Sequence, residues 1–168
     1  MSDTYRIRPA VAGDAEAVAR LYNHFVATCT ATWQTEPDSA DRRRMWLTGR
    51  KPQHPVFAAE DADGVLVAFA ALSPYSERGA FAGTAEVTLY IADAAQGRGL
   101  GGELMRLLIA KAEEAGLHLL VSRISGDRVA SIGLHRKYGF IESGRIPEMG
   151  RKFGRRLDLV YMHRFVAA

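Results

Sequence analysis

The chain has 168 residues, 48% of them hydrophobic and 24% charged, with a formal net charge of +3. That length and balance suit one globular domain over residues 1–168 with an adequate core, and they exclude a disordered or low-complexity chain. The Lys and Arg are dispersed apart from Arg42-Arg43-Arg44 and Arg155-Arg156, so no nucleic acid is called for as a partner, and no run approaches the ~18 apolar residues of a membrane span.

Residues 5–8 alternate apolar and charged side chains ahead of Pro9, as a short first strand does. Gly13-Asp14 then offers a cap for a helix whose buried stripe is Val18, Leu21, Tyr22 and Phe25. Cys29 is the only cysteine; it allows no internal disulfide and no cysteine metal cluster. With an N-terminus that lacks the apolar core of a signal peptide, this places the protein in the cytoplasm. A second helix is predicted at about residues 39–49, with Met45 and Trp46 inward and the arginine cluster outward, closed by Pro52 and Pro55.

Val56–Glu60 and residues 65–72 are β-rich and joined by Asp61-Ala62-Asp63-Gly64, whose Asp-Gly supplies hairpin chemistry. Thr84–Ile91 is the next strand. A helix over residues 99–115 follows, its Leu104, Leu107, Leu108 and Ala112 toward a sheet and Gly116 as its stop. Residues 117–124 read as strand, 129–138 as helix, and 140–146 and 157–165 as two closing strands. This order implies an α/β chain with a mixed sheet covered by helices.

The most informative stretch is Gln96-Gly97-Arg98-Gly99-Leu100-Gly101-Gly102. Glycines at a helix start let backbone N–H groups approach a ligand closely, and the helix dipole favours an anion there. Taken literally, the run satisfies the dinucleotide fingerprint G-x-G-x-x-G. Against that, five residues separate Ile91 from Gly97, and the region where an acid is required reads Val121-Ser122-Arg123. A P-loop needs Gly-Lys-Ser or Gly-Lys-Thr, and neither follows.

Gln96-Gly97-Arg98-Gly99-Leu100-Gly101 also fits Gln/Arg-x-x-Gly-x-Gly/Ala, and here the chain resembles the GCN5-related N-acetyltransferase (GNAT) superfamily, which carries that motif after its fourth strand. Ile7-Arg8-Pro9-Ala10, Tyr22-Asn23-His24, Thr32-Trp33-Gln34-Thr35-Glu36-Pro37, Thr84-Ala85-Glu86 and Ser131-Ile132-Gly133-Leu134-His135 are similar to its phosphinothricin and methionine sulfone/sulfoximine acetyltransferase branch. So are Gly150-Arg151-Lys152-Phe153-Gly154 and Leu157-Asp158. The resemblance implies a mixed, mostly antiparallel sheet of about seven strands flanked by about four helices. It also implies direct acetyl transfer from acetyl-CoA, in a ternary complex, to the α-amino group of a methionine- or glutamate-like analogue. Members of the branch are commonly dimers, which implies a homodimer.

An ammonium must lose a proton before it can attack a thioester, so the site needs a base. Strand alternation puts Glu86 on one face with Thr84 and Thr88, and the resemblance makes Glu86 that base rather than a solvated strand carboxylate. It also implies main-chain contacts from Leu89, Tyr90 and Ile91 to the acetyl and pantetheine parts, a strand N–H near Leu89 for the developing oxyanion, and a pyrophosphate cradle of Gln96, Gly97, Arg98, Gly99, Leu100 and Gly101. His135 stands where the superfamily often has a tyrosine that protonates the thiolate; an imidazole can do that work or serve as base instead. Arg128 replaces an asparagine usual in the family and either reaches a CoA phosphate or points to solvent.

For the acceptor, the resemblance assigns Tyr75, Arg78 and Phe81 to the pocket, beside Thr84 and Ala85. Trp33 and Lys152 either complete the pocket or merely pack. Arg78 either clamps an α-carboxylate or is a surface arginine of a loop, and Ser76 stands where relatives often carry Arg or Lys. No metal is required, because a thioester is already activated. Two other readings stay open: acetylation of another small amine or a protein N-terminus, and a non-catalytic acyl-CoA-binding sensor. Detoxification and ordinary amino acid metabolism would use the same chemistry.

Overall fold

The computed structural model describes residues 5–166; residues 1–4 and 167–168, which the single-domain reading includes, lie outside it. Strands β1 (Arg6–Pro9), β2 (Val56–Glu60), β3 (Leu66–Pro74), β4 (Thr84–Ile91), β5 (Leu119–Ser125), β6 (Ile141–Lys152) and β7 (Arg155–Phe165) form a seven-stranded sheet in the order β1-β2-β3-β4-β5-β7-β6. Neighbours are antiparallel except β4 and β5, which run parallel. The four helices are α1 (Ala15–Thr28), α2 (Ala40–Thr48), α3 (Leu100–Glu114) and α4 (Val129–Lys137). α3, between β4 and β5 in sequence, makes the crossover that a parallel pair requires. Among the described residues no helix is long and apolar enough to cross a membrane.

β3 is buried on both faces, which accounts for its near-continuous apolar run. Its period of two sends Ala68, Ala70 and Leu72 into the main core with Leu104, Leu108 and Ile132 of α3 and α4. Phe69 and Ala71 face the other way, onto Val18 and Tyr22 of α1 and Leu47 of α2. At the β2–β3 turn Gly64 takes a φ of 77°, and the Asp61 carboxylate accepts from the N–H groups of Asp63 and Val65, the chemistry that Asp63-Gly64 signalled.

Three local expectations are corrected. In α2, Met45 is exposed while Arg43 is buried, its guanidinium 2.9 Å from Asp38 and 4.0 Å above the Tyr22 ring. A paired cation stacked on an aromatic face goes inward where charge alone suggested solvent. Asp14 does not cap α1 with its side chain; its carboxylate accepts from both Arg8 Nη atoms at 2.8 Å and from the Val11 N–H. The closing strands are longer than residues 140–146 and 157–165: β6 runs on to Lys152 through irregular pairing between Ile146 and Gly150, and a tight turn at Phe153 and Gly154 joins it to β7.

Arg8 also pairs with Glu60 of β2, so one guanidinium ties the first strand to both the turn before α1 and its sheet neighbour. Its hydrogen bonds hold the Asp14 carboxyl below the ordinary value of 3.8. A depressed carboxyl stabilises the fold fully above about pH 3.8 and loses that contribution as pH falls through its lower folded value. Asp14→Asn is therefore expected to cost about 1–3 kcal/mol near neutrality. Thermal melts should show a shallower fall in stability across acid pH for the variant than for the parent chain.

Candidate active site

β4 and β5 pair only over Thr84–Glu86 against residues 119–121. Beyond that point β4 stays on β3 as far as Ile91 and β5 stays on β7 as far as Ser125, so the sheet splits into two arms. The split exposes one edge of β4, whose main-chain groups then lack a strand partner. A cavity of about 1000 Å³ fills the opening. Its walls are β4 from Glu86 to Ile91, β5 from Ser122 to Ser125, the glycine run with the first turn of α3, one side of α4, and residues 31–34 after α1.

At one end Gly97 and Gly99 adopt φ of 72° and 90°, and Gly99 is the N-cap of α3. This left-handed backbone is open to glycine and strained for other residues. It turns the chain so that the N–H groups of Gly99, Leu100 and Gly101 at the start of α3 stand at the mouth of the cavity, while the Gly102 N–H already donates to Gly99 O at 2.9 Å. Gln96 lines the cavity, and its side-chain amide donates to Ile91 O at 2.9 Å and Asp93 Oδ1 at 3.1 Å, locking the loop onto the end of β4. Gly101 lets α3 approach Ile91 and Leu134, since a Cβ there would sit 3.2 Å from each. Such a cradle presents amide donors and a positive dipole end to an anion.

At the other end Glu86 accepts two hydrogen bonds from Arg123, Nε to Oε1 at 2.8 Å and Nη2 to Oε2 at 2.6 Å. The Glu86 carboxylate raises the Arg123 guanidinium above its ordinary value. Both side chains line the cavity. Here residues 31–34 form the facing wall. The Tyr22 hydroxyl shares a 2.6 Å hydrogen bond with Thr32 and donates to Gln34 at 2.9 Å, and Thr30 donates to Asp127 at 2.8 Å.

His135 of α4 lines the cavity and is 4% exposed. Its Nδ1 is 2.8 Å from Ser131 O, so Nδ1 carries the hydrogen and Nε2 the lone pair; Nε2 is buried and has no hydrogen-bond partner among the described residues. Burial lowers its pKa below the ordinary 6.5, which keeps the ring neutral at pH 7.

The Acetyltransferase (GNAT) family model matches residues 18–140. The chain belongs to this family. An L-methionine sulfoximine/L-methionine sulfone acetyltransferase of Pseudomonas aeruginosa is 39% identical over 157 residues, which cover 93% of this chain and 91% of that one. A phosphinothricin acetyltransferase of Sinorhizobium meliloti, solved in complex with AcCoA, has a TM-score of 0.91 at 30% identity and covers 99% of this chain and 90% of its own. A ribosomal-protein-alanine N-acetyltransferase from Brucella melitensis has a TM-score of 0.89 at 35% identity, with 95% and 99% covered. The chain is thus an N-acetyltransferase, with the mixed seven-stranded sheet and four helices expected of it.

Within this acetyltransferase, the cavity wall brings together Trp33, Glu86, Leu89, Tyr90, Ile91, Gln96, Gly97, Gly99, Gly101, Arg128 and His135. Other residues named from the sequence stand elsewhere. The Leu100 side chain points into the core while its backbone opens α3 beside the cavity, Ala85 is fully buried, and Thr84 lies just before the split. Arg98 is exposed on the turn between the two glycines. Tyr75 and Phe81 pack edge to face at 5.4 Å on the loop between β3 and β4, with Arg78 exposed beside them; none of the three reaches the wall.

Lys152 is buried away from the cavity, donating to Cys29 O at 2.8 Å and Thr32 O at 3.0 Å. It holds the loop that presents Trp33 and does not touch the open space itself. Arg123 was missed; a charged residue in the middle of an apolar strand was the available signal.

Gly150 of β6 supports Trp33 from behind. A Cβ there would lie 2.4 Å from Trp33 Cζ3 and 2.7 Å from Cε3. Gly150→Ala is expected to push the indole toward the cavity, at a cost of about 1–3 kcal/mol in stability. Steady-state kinetics should show the KM for the acceptor rising several-fold, with that for the acyl donor little changed.

Proposed function

We propose that the protein transfers the acetyl group of acetyl-CoA directly, in a ternary complex, to the α-amino group of a small amino acid analogue of the methionine sulfone, methionine sulfoximine or phosphinothricin type. The observation that carries this reading is the split between β4 and β5, with an anion cradle at one end and a carboxylate at the other. The names of the relatives supply the substrate class.

Acetyl-CoA brings an already activated acetyl group. The amides of Gly99, Leu100 and Gly101 hold its pyrophosphate, with Arg98 and Arg128 adding charge. The freed edge of β4 at Leu89, Tyr90 and Ile91 takes the pantetheine as a strand would, and a β4 N–H near Leu89 faces the developing oxyanion. Glu86 accepts the proton that the ammonium must lose. The N–C bond forms and the C–S bond breaks; of the two protons the ammonium gives up in becoming an amide, one ends on the departing sulfur. The Nδ1 tautomer leaves His135 Nε2 without a proton to give, so we assign His135 to the wall as an acceptor, and the thiolate takes its proton from solvent.

The same reading extends to assembly and setting. β6 is the outer strand of the sheet and exposes Ile141, Ile146 and Met149; a second copy covers it, and sedimentation should give twice the chain mass. The enzyme works in the cytoplasm, where acetyl-CoA is supplied. Its role is detoxification, since acetylation removes the charge by which an analogue mimics an amino acid; expression should let cells grow on methionine sulfoximine. Thiol release across L-methionine sulfone, L-methionine sulfoximine, phosphinothricin, methionine and glutamate tests the reaction. Turnover of the first three is the expected result, and turnover of none would remove the substrate assignment.

A further inference from the structure

The acceptor end of the cavity holds more charge than proton removal requires. A base needs one carboxylate, yet Glu86 is gripped by a guanidinium in a two-point contact of 2.8 and 2.6 Å. Both residues rise from the same face of neighbouring strands, on the side of Tyr90 and α1. Neither is sealed in: the side chains are 20% and 47% exposed for Glu86 and Arg123. Among the described residues, Arg123 directs its hydrogen bonds to Glu86 alone. Both hydrogens of Nη1 and the second hydrogen of Nη2 are left for something else.

A free α-amino acid carries an ammonium and a carboxylate on one carbon. That arrangement is the complement of a carboxylate and a guanidinium held in contact. With the ammonium on Glu86, the adjacent carboxylate falls beside Arg123, whose planar fork suits it. A simple amine or a peptide N-terminus offers the ammonium and nothing for the fork. Arg78, the other candidate clamp, lies off the cavity wall.

We propose that Arg123, held against Glu86, is the receptor for the substrate α-carboxylate and thereby selects free amino acids over simple amines and peptide N-termini. This rests on the proposed transfer to amino acid analogues and adds the residue that would make the acceptor a zwitterion.

The test is kcat/KM for L-methionine sulfone and for the same compound as its α-carboxamide, in the parent enzyme, Arg123→Gln, Arg123→Lys and Arg78→Gln. Melting temperature and acetyl-CoA binding are followed in each as a check on folding. The parent should prefer the acid. In Arg123→Gln the acid should lose roughly 10- to 100-fold, mainly through KM, and the carboxamide much less, so the preference collapses; Arg123→Lys should recover part of it. A parallel fall for both acceptors would make Arg123 only a support for Glu86 and overturn the inference. So would an unchanged preference, a parent enzyme that does not discriminate, or a preference that collapses in Arg78→Gln instead. Failure of the parent with both acceptors would instead remove the underlying reaction.

Discussion

Glu86→Gln should lower turnover by roughly 10²- to 10⁴-fold, the span that a positioned proton acceptor contributes, with little change in melting temperature or acetyl-CoA affinity. Glutamine matches glutamate in shape and keeps one oxygen for Arg123, so the variant removes charge and basicity from a position that is otherwise conserved in outline. Arg123 is about half exposed, and water can solvate it once its partner is neutral, which is why the fold should tolerate the change. The pH profile separates this from a general loss of binding. Without a base, the reaction depends on the fraction of acceptor already present as free amine, so the variant's rate should rise about tenfold per pH unit up to the amine's own pKa. A profile that keeps the parent's shape while dropping in height would place the proton acceptor elsewhere. His135 is then the next candidate, since burial holds it neutral with its Nε2 lone pair unused.

Gly99→Ala tests the other end of the cavity and should raise the KM for acetyl-CoA at least about tenfold while kcat at saturation stays near the parent value. Among the described residues nothing lies within 4 Å of a Cβ built on Gly99, so the substitution collides with none of them. The difficulty is the φ of 90°, which costs an L-residue about 1–2 kcal/mol. Part of that appears as lost stability. The remainder is relieved by rotating the loop, which swings the first amides of α3 off the position where they converge. Gly133→Ala is the control: that glycine lies within α4, also with open space and with no left-handed φ. Alanine should stabilise the helix there by about 0.5–1 kcal/mol and leave the acetyl-CoA KM alone.

Much of the fold was legible because its signals are local. The stripe of Val18, Tyr22 and Phe25 in α1, the Asp-Gly turn before β3 and the stop at Gly116 each follow from spacing or backbone conformation within a few residues. What was not legible depends on partners distant in sequence. Arg43 goes inward because Tyr22 and Asp38 receive it, and Asp14 abandons its cap because Arg8 claims the carboxylate. The extension of β6 past Ile146 is hidden by its irregular pairing and by a run, Pro147-Glu148-Met149-Gly150-Arg151-Lys152, in which no period of two betrays a strand. At the site, the glycine run and Glu86 stand out as sequence. The grip of Arg123 on Glu86 does not, because it joins two strands that are parallel neighbours only after α3 has crossed between them. Of the two readings the sequence leaves for Lys152, pocket or packing, its hydrogen bonds to two carbonyls of the loop after α1 favour packing.

Direct transfer between two ligands held together where β4 and β5 part can be read from initial rates over a matrix of acetyl-CoA and L-methionine sulfone concentrations, with the acetylated position of the product located by mass spectrometry. Intersecting double-reciprocal lines and a product acetylated on the α-nitrogen are the expected result. Parallel lines with an acetyl group recovered on the protein, or a product acetylated anywhere else, would contradict it.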